Sequence, residues 1–279
     1  MHRALQYITL LLAISGTAKA APNTIHWTKS FDTALAEANR TNKLVMLDFY
    51  AEWCSGCKRL EKDTYTDARV IQLAGQFVPI KLNGDKDGRA LAKTYNVVGF
   101  PTILFINSTG EVEGTIGGYM LPEEIVPKMS RIAQAHQEFP QLVVRIMAKP
   151  EDAATAAKLA AIYAGRGNIT KAEAMLGVAE KDQAEAGASL AIALSSLGDY
   201  YQSNNKFDRA IPFFQKANKV GPTPNEIAYA LISEAACYFQ STRPKEAVKP
   251  LEALLKLDGA PKQWVTQGKQ MLEQARKIQ

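Results

Sequence analysis

The sequence contains the stretch Trp53-Cys54-Ser55-Gly56-Cys57-Lys58, which follows the apolar run Leu44-Val45-Met46-Leu47-Asp48-Phe49-Tyr50. The apolar run is typical of a central β-strand that is covered on both faces, and the residues after Cys57 predict a helix. Two cysteines that lie two residues apart where a strand turns into a helix can open and close one disulfide. Backbone N–H groups at the start of the helix favour a thiolate on the first sulfur, and the thiolate is the attacking species in disulfide exchange.

The cysteine count favours redox exchange over two structural uses of this motif. The chain has three cysteines, Cys54, Cys57 and Cys237. A structural zinc needs four ligands, and neither a second CxxC nor a CxxC…HxxxH pattern occurs. A structural disulfide that closes a two-residue gap would constrain little of the unfolded chain. Cys237 is predicted to be a buried, inert thiol rather than a third redox site.

Length and composition are those of an ordinary globular protein with room for two domains. The chain has 279 residues, of which 47% are hydrophobic and 22% are charged, and its formal net charge is +5. Lys and Arg are scattered without a run of five, so the charge pattern does not indicate a nucleic-acid-binding surface. We expect no nucleic-acid partner, no metal and no cofactor.

The first twenty residues predict a secretory signal peptide (1–20). Arg3 supplies the positive charge of the N-terminal region, an apolar run follows over residues 4–14, and Ala18-Lys19-Ala20 fits a cleavage site. The alternative is a segment retained as an anchor, although the run is short for a bilayer span of roughly 20 residues. We therefore expect a soluble protein secreted across the inner membrane, into the periplasm.

Hydrophobic periodicity over residues 21–138 predicts one α/β domain with the order β-α-β-α-β-β-α. One sheet with helices on both faces is expected. The predicted strands are 44–50, 77–82, 103–106 and 111–116; the predicted helices are 30–38, the segment after Cys57, 88–95, and 122 to about 135. Pro79 is awkward for a central strand position.

This segment resembles the thioredoxin family over about residues 25–136. The resemblance rests on Asp48 in the strand before the motif, on Trp53-Cys54-x-x-Cys57-Lys58, and on Gly99-Phe100-Pro101-Thr102 about 45 residues later. Tyr50-Ala51-Glu52-Trp53-Cys54 and Glu61-Lys62-Asp63-Thr64-Tyr65-Thr66-Asp67 look most like one branch. That branch is the C-terminal periplasmic domain of the bacterial transmembrane thiol:disulfide interchange protein.

The resemblance implies three catalytic residues. Cys54 would be the exposed nucleophile and Cys57 the buried resolving thiol, together forming the redox-active disulfide. Asp48 would lie beneath the disulfide as a carboxyl with a raised pKa, able to take a proton from Cys57.

The resemblance also implies a docking surface. Pro101 would follow a cis peptide bond and expose the backbone of Phe100 to an extended substrate segment, and Trp53 would cover the sulfurs. Lys58 and Glu61 are candidate modulators of the pair. Lys58 either lowers the thiolate pKa or is a plain residue of the helix surface.

Residues 151–279 predict an all-α repeat domain, joined by a linker or connecting helix over 139–150. Tyr163, Ala172, Leu176 and Ala179 recur at offsets of 38 and then 37 residues. The repeats, at about 153–186, 191–224 and 228–261, resemble tetratricopeptide repeats, and a capping helix follows from Pro261. This family implies a protein or peptide partner. The alternative is that the repeats only stabilise or dimerise the protein.

The sequence thus predicts an α/β thioredoxin fold followed by an all-α helical repeat, acting as an exported thiol–disulfide oxidoreductase on protein disulfides or thiols. The absence of a His between the cysteines favours a reductant or exchange protein over an oxidant. A reductant would need a separate membrane electron donor, of the DsbD or CcdA type. The alternatives are a non-catalytic partner-binding scaffold and a disulfide isomerase.

Overall fold

The structure is a computed structural model, and it describes residues 23–278. The predicted signal peptide lies outside the described residues. The first part of the described chain alternates strands and helices. Its elements are α1 (Phe31–Thr41), β1 (Val45–Tyr50), α2 (Ser55–Arg59), a π-helical turn (Leu60–Thr64), α3 (Ala68–Ala74), β2 (Val78–Asn83), α4 (Arg89–Thr94), β3 (Thr102–Ile106), β4 (Val112–Gly117) and α5 (Pro122–Ala148).

The four strands form one sheet in the order β2-β1-β3-β4. Strand β1 is parallel to β2 and antiparallel to β3, and β3 is antiparallel to β4. Side chains alternate along β1, so Val45, Leu47 and Phe49 pack on one face while Met46 and Asp48 point to the other. The predicted α/β class, with one sheet covered on both faces, is confirmed.

The position of Pro79 is explained by the strand order. Strand β2 lies at the edge of the sheet, where a residue without an N–H is tolerated. Only an isolated bridge at Thr28 lies on its outer side within the described residues, and there the Thr28 N–H donates to the Pro79 carbonyl over 2.7 Å.

The segment after Cys57 is not the single helix that the sequence predicts. Helix α2 passes into the π-helical turn, and α3 then begins separately after Asp67, whose carboxylate accepts the Arg69 N–H at the helix start. The π-helical turn closes where the Tyr65 N–H donates to the Leu60 carbonyl over 2.8 Å. The extra residue in such a turn changes the direction of the side chains that follow.

Helix α5 is longer than predicted. It runs for 27 residues through the expected boundary at Phe139-Pro140, and the interpretation of 139–150 as a connecting helix therefore fits better than a linker. Pro127 and Pro140 lie inside the helix but are exposed. Each proline removes one N–H from the helix, yet the helix runs on to Ala148.

The second part of the described chain is helical throughout. Its elements are α6 (Ala153–Gly165), α7 (Ile169–Ala179), α8 (Gln183–Ala186), α9 (Ala188–Ser203), α10 (Phe207–Val220), α11 (Pro224–Gln240), a 3₁₀ turn (Pro244–Ala247), α12 (Val248–Leu255) and α13 (Lys262–Lys277). Helices α6 and α7, α9 and α10, and α11 and α12 pack together as three hairpins.

The three hairpins share one turn geometry. The carbonyls of Tyr163, Tyr201 and Tyr238 each accept an N–H from five residues later, over 2.8 Å in all three turns. The residue before each donor has positive φ: Gly167 at 72°, Asn205 at 56° and Thr242 at 59°. The turns thus recur at the predicted offsets. The assignment to tetratricopeptide repeats stays a prediction.

Small residues let the hairpin helices approach closely. A Cβ added at Gly198 would lie 2.7 Å from the Phe214 ring, which is fully buried.

Cys237 is a buried free thiol whose pKa is raised to about 12, mainly by burial. Its predicted burial is confirmed. None of the helices within residues 23–278 is both long and apolar enough to cross a membrane.

Candidate active site around the Cys54–Cys57 disulfide

Cys54 and Cys57 are joined in a disulfide at the start of α2, where β1 has just ended. Their Cα atoms lie 5.3 Å apart. Cys54 is the N-cap of the helix, and its sulfur accepts the Cys57 N–H over 3.0 Å. An N–H that points at this sulfur favours a thiolate on Cys54 once the disulfide is reduced.

Both cysteines are buried. The exposed fraction is 3% for Cys54 and 5% for Cys57. Tyr50 and Phe100 pack against the small cluster that the cysteines form with Ala51. The expectation of an exposed Cys54 is therefore wrong for the disulfide form, because two aromatic side chains from outside α2 cover this end of the helix.

Trp53, immediately before the disulfide, is 70% exposed. Its indole N–H donates to the Asp85 carboxylate over 2.7 Å, and its ring centroid lies 6.0 Å from that of Phe100. An exposed ring held in place on both sides offers a flat apolar surface next to the disulfide.

The Phe100–Pro101 peptide bond is cis, which confirms that sequence prediction. Pro101 is buried against the motif: a Cβ added at Gly56 would lie 3.2 Å from the Pro101 Cδ. The preceding loop is open to solvent, with Val98 fully exposed. The disulfide, the proline and an accessible segment of backbone thus lie side by side.

Asp48 is buried in β1, with 1% of its surface exposed. Burial raises its pKa to about 6, against the opposing effects of the nearby Lys81 charge and the Tyr65 hydroxyl. The Lys81 Nζ lies 3.8 Å from Asp48 Oδ2. A carboxyl with such a pKa exchanges a proton readily near neutral pH.

Lys81 is a site residue that sequence reasoning missed. It lies on β2 directly opposite Asp48 in the parallel register. Its Nζ is 4.8 Å from the Tyr50 ring centroid and 5.8 Å from those of Trp27 and Tyr65, and burial lowers its pKa. Only the strand register brings Lys81 to Asp48, and a single chain offers no local signal for that pairing.

The two candidate modulators have different positions. Glu61, in the π-helical turn, forms an ion pair with Lys81 and so belongs to the Asp48 cluster. Lys58 is exposed on α2, which favours the interpretation of Lys58 as a plain surface residue.

Comparison with known proteins agrees with this geometry. Residues 31–133 match the family model of the thioredoxin-like domain. The matched region spans α1 to the first half of α5 and contains the disulfide, Asp48 and Pro101.

Residues 31–133 form a thioredoxin-like domain.

Similar proteins include longer relatives of which this chain spans only a small share. The chain is 44% identical over 92 residues to the thiol:disulfide interchange protein DsbD of Salmonella typhimurium, a match that covers 31% of this chain and 16% of that protein. It is 33% identical over 123 residues to DsbD of Haemophilus ducreyi, covering 40% of this chain and 22% of that protein. Among solved structures, the C-terminal domain of Neisseria meningitidis DsbD in the reduced form is 27% identical, covers 36% of this chain and 90% of that one, and has a TM-score of 0.32.

Proposed function

We propose that this protein is a thiol–disulfide oxidoreductase in which Cys54 and Cys57 exchange electrons with disulfides or thiols of protein substrates. The observation that carries the proposal is the Cys54–Cys57 disulfide at the start of α2, beside cis-Pro101, in a thioredoxin-like domain. The similarity to DsbD proteins supports the same chemistry.

In the reducing direction, the Cys54 thiolate attacks one sulfur of a substrate disulfide. The substrate S–S bond breaks, a mixed disulfide forms, and the leaving substrate thiolate takes up a proton. Cys57 then gives its proton to Asp48, and its thiolate attacks the Cys54 sulfur. The second substrate thiolate leaves, two electrons have passed to the substrate, and the protein holds the Cys54–Cys57 disulfide.

Substrate docking is assigned to Trp53, Phe100 and Pro101. The exposed Trp53 ring supplies apolar contact, and the open backbone before Pro101 can pair with an extended segment. Since Tyr50 and Phe100 cover Cys54, we expect a docking substrate to displace the Phe100 ring. Glu61 modulates the pair through Lys81.

The wider setting is also proposed. The protein is exported to the periplasm, acts as a reductant or exchange protein rather than an oxidant, and is recycled by a separate membrane electron donor. The three helical hairpins recruit a protein or peptide partner, supported by their common turn geometry, which gives a repeated surface.

The test is thiol-dependent reduction of insulin by the purified protein. Wild type should accelerate the reaction, and Cys54→Ser should abolish the acceleration. Cys237→Ser should retain it, because Cys237 is buried in α11, outside the thioredoxin-like domain. If wild type is inactive and has no titratable disulfide, a binding scaffold replaces the enzyme hypothesis.

The reduction potential of the Cys54–Cys57 pair assigns the direction of electron flow. A value near −270 mV, as in thioredoxin, supports a reductant, and one near −120 mV supports an oxidant.

A further inference from the structure

Tyr65 is buried on the Asp48 side of the sheet, with 6% of its surface exposed. Alternation along β1 turns Asp48 to the same face as Met46, and Met46 shares one core cluster with Leu60 and Tyr65. The π-helical turn delivers Tyr65 to this position, because its N–H closes the wider turn on the Leu60 carbonyl.

The polar atoms of Tyr65 and Asp48 are complementary. The Tyr65 hydroxyl and Asp48 Oδ1 are both buried, and within residues 23–278 neither has a hydrogen-bond partner of good geometry. The other carboxylate oxygen, Oδ2, faces Lys81 at 3.8 Å. A buried donor and a buried acceptor left unsatisfied are both costly, and the Tyr65 hydroxyl lies near enough to Asp48 to lower the pKa of that carboxyl.

The other groups around Tyr65 fix its position and its protonation. The Trp27 ring meets it edge-on at 5.4 Å between centroids, and Lys81 Nζ lies 5.8 Å from its ring centroid. Burial and the Asp48 charge hold the pKa of Tyr65 well above its usual value. The hydroxyl therefore keeps its proton and acts as a donor toward the carboxylate.

We propose that the Tyr65 hydroxyl donates a hydrogen bond to the Asp48 carboxylate and thereby holds Asp48 in the orientation and charge state that accept the Cys57 proton. Tyr65 is thus a positioning residue, which acts through Asp48 and does not itself touch the sulfurs. The role of Asp48 in this statement rests on the proposed function.

The Tyr65 hydroxyl, as a hydrogen-bond donor, determines in which direction the pKa of Asp48 moves. A hydroxyl stabilises the ionised carboxylate more than the protonated carboxyl. The charged groups that face Asp48 are Lys81 from β2 and, through Lys81, Glu61 from the π-helical turn. Removing the hydroxyl leaves those charges in place, so Asp48 should hold its proton to higher pH.

The direct test is Tyr65→Phe, which removes one oxygen and keeps the buried ring. The titration midpoint of Asp48 is measured by NMR in the disulfide form, labelled with carboxyl-¹³C aspartate, without any turnover. The midpoint should rise by about one pH unit. The matched control is Tyr95→Phe, which deletes a hydroxyl that donates to the Gly110 carbonyl in the same domain, and it should leave the midpoint unchanged. An unchanged or lowered midpoint in Tyr65→Phe, or an equal rise in Tyr95→Phe, overturns the proposal.

The kinetic test uses the pH profile of insulin reduction. In Tyr65→Phe the acidic limb should move to higher pH, and in an Asp48→Asn background the same substitution should produce no further displacement. A displacement that persists without Asp48 contradicts action through the carboxylate. If wild type reduces no insulin, the proposed function fails, while the titration still decides whether Tyr65 bonds to Asp48.

Discussion

At the scale of single residues, the site is defined by burial more than by surface chemistry. Asp48 is almost completely inaccessible, and both cysteines are nearly so. A buried carboxyl has a higher free energy when charged, because it loses the solvation that water provides. The burial that would suit Asp48 for the proposed proton transfer therefore makes its charged form unfavourable for folding at neutral pH.

Asp48→Asn should remove a pH dependence of stability. The pKa of Asp48 is about 6 in the folded protein, against 3.8 for an unperturbed aspartate, so the folded state binds this proton more tightly. The contribution of Asp48 to the unfolding free energy should thus be fully present below about pH 4 and fall by on the order of 2–3 kcal/mol as the pH rises through about 6. Urea unfolding of the oxidised wild type and of Asp48→Asn, each at about pH 4 and pH 7, measures this contribution as the difference between the two proteins.

The matched control for that measurement is Asp208→Asn. The Asp208 side chain is 86% exposed and pairs with Arg243 on the surface. It should retain the wild-type pH dependence. A wild-type slope that survives in Asp48→Asn would assign the effect to another group.

Gly84→Ala should disturb the cover over the disulfide. A Cβ at position 84 would clash with the Phe100 ring, so the ring has to turn away from Gly84. We expect a loss of about 1–3 kcal/mol of unfolding free energy and faster reduction of the disulfide by dithiothreitol. Gly117→Ala, where a Cβ meets nothing within 4 Å, is the control. Reduction at the wild-type rate in Gly84→Ala would show that Phe100 does not protect the sulfurs.

At the scale of elements, the helical hairpins depend on one residue in the left-handed region in each turn. Gly167 and Asn205 adopt positive φ at low cost, whereas the β-branched Thr242 does not. Thr242 and Asn205 are both exposed, so substitutions there act through the backbone.

Thr242→Asn should raise the unfolding free energy by roughly 0.5–1 kcal/mol, because asparagine tolerates positive φ better. The reciprocal change, Asn205→Thr, should lower it by a similar amount. Both are measured by chemical unfolding followed by circular dichroism. Equal stability of all three proteins would show that the turns relax without cost.

At the scale of the whole molecule, a buried ion cluster joins the thioredoxin-like domain to the helical region. Glu113 on β4 accepts one hydrogen bond from Arg166 at the end of α6 over 2.8 Å and contacts His136 Nδ1 on α5 over 2.9 Å. The Arg166 guanidinium also lies 3.8 Å above the Phe139 ring. Burial opposes ionisation of Glu113, but the hydrogen bond with His136 and the Arg166 charge lower its pKa overall.

Arg166→Met should uncouple the two parts of the protein. The Glu113 side chain is 8% exposed, and it would lose its strongest counter-charge. We expect a loss of about 3 kcal/mol or more and two resolved transitions in urea unfolding followed by circular dichroism. Wild type should show a single transition.

Arg209→Met is the control for this prediction. Arg209 pairs with Glu173 on the surface, where the two side chains are 57% and 41% exposed. Its loss should cost less than about 1 kcal/mol. If both variants unfold alike, the cluster at Glu113 does not couple the domains.

The amino-acid sequence determined the local features of this protein. Hydrophobic periodicity predicted the strands and most helices, the spacing of Cys54 and Cys57 predicted the disulfide, and recurring tyrosines predicted the hairpin repeat. Such features depend on residues near one another in the chain. The tertiary structure alone decided the burial of Cys54 under Tyr50 and Phe100, the pairing of Asp48 with Lys81, and the contact of Glu113 with Arg166. These contacts join residues that are distant in the chain, and they depend on strand register, on the π-helical turn and on the unbroken course of α5, none of which local periodicity encodes.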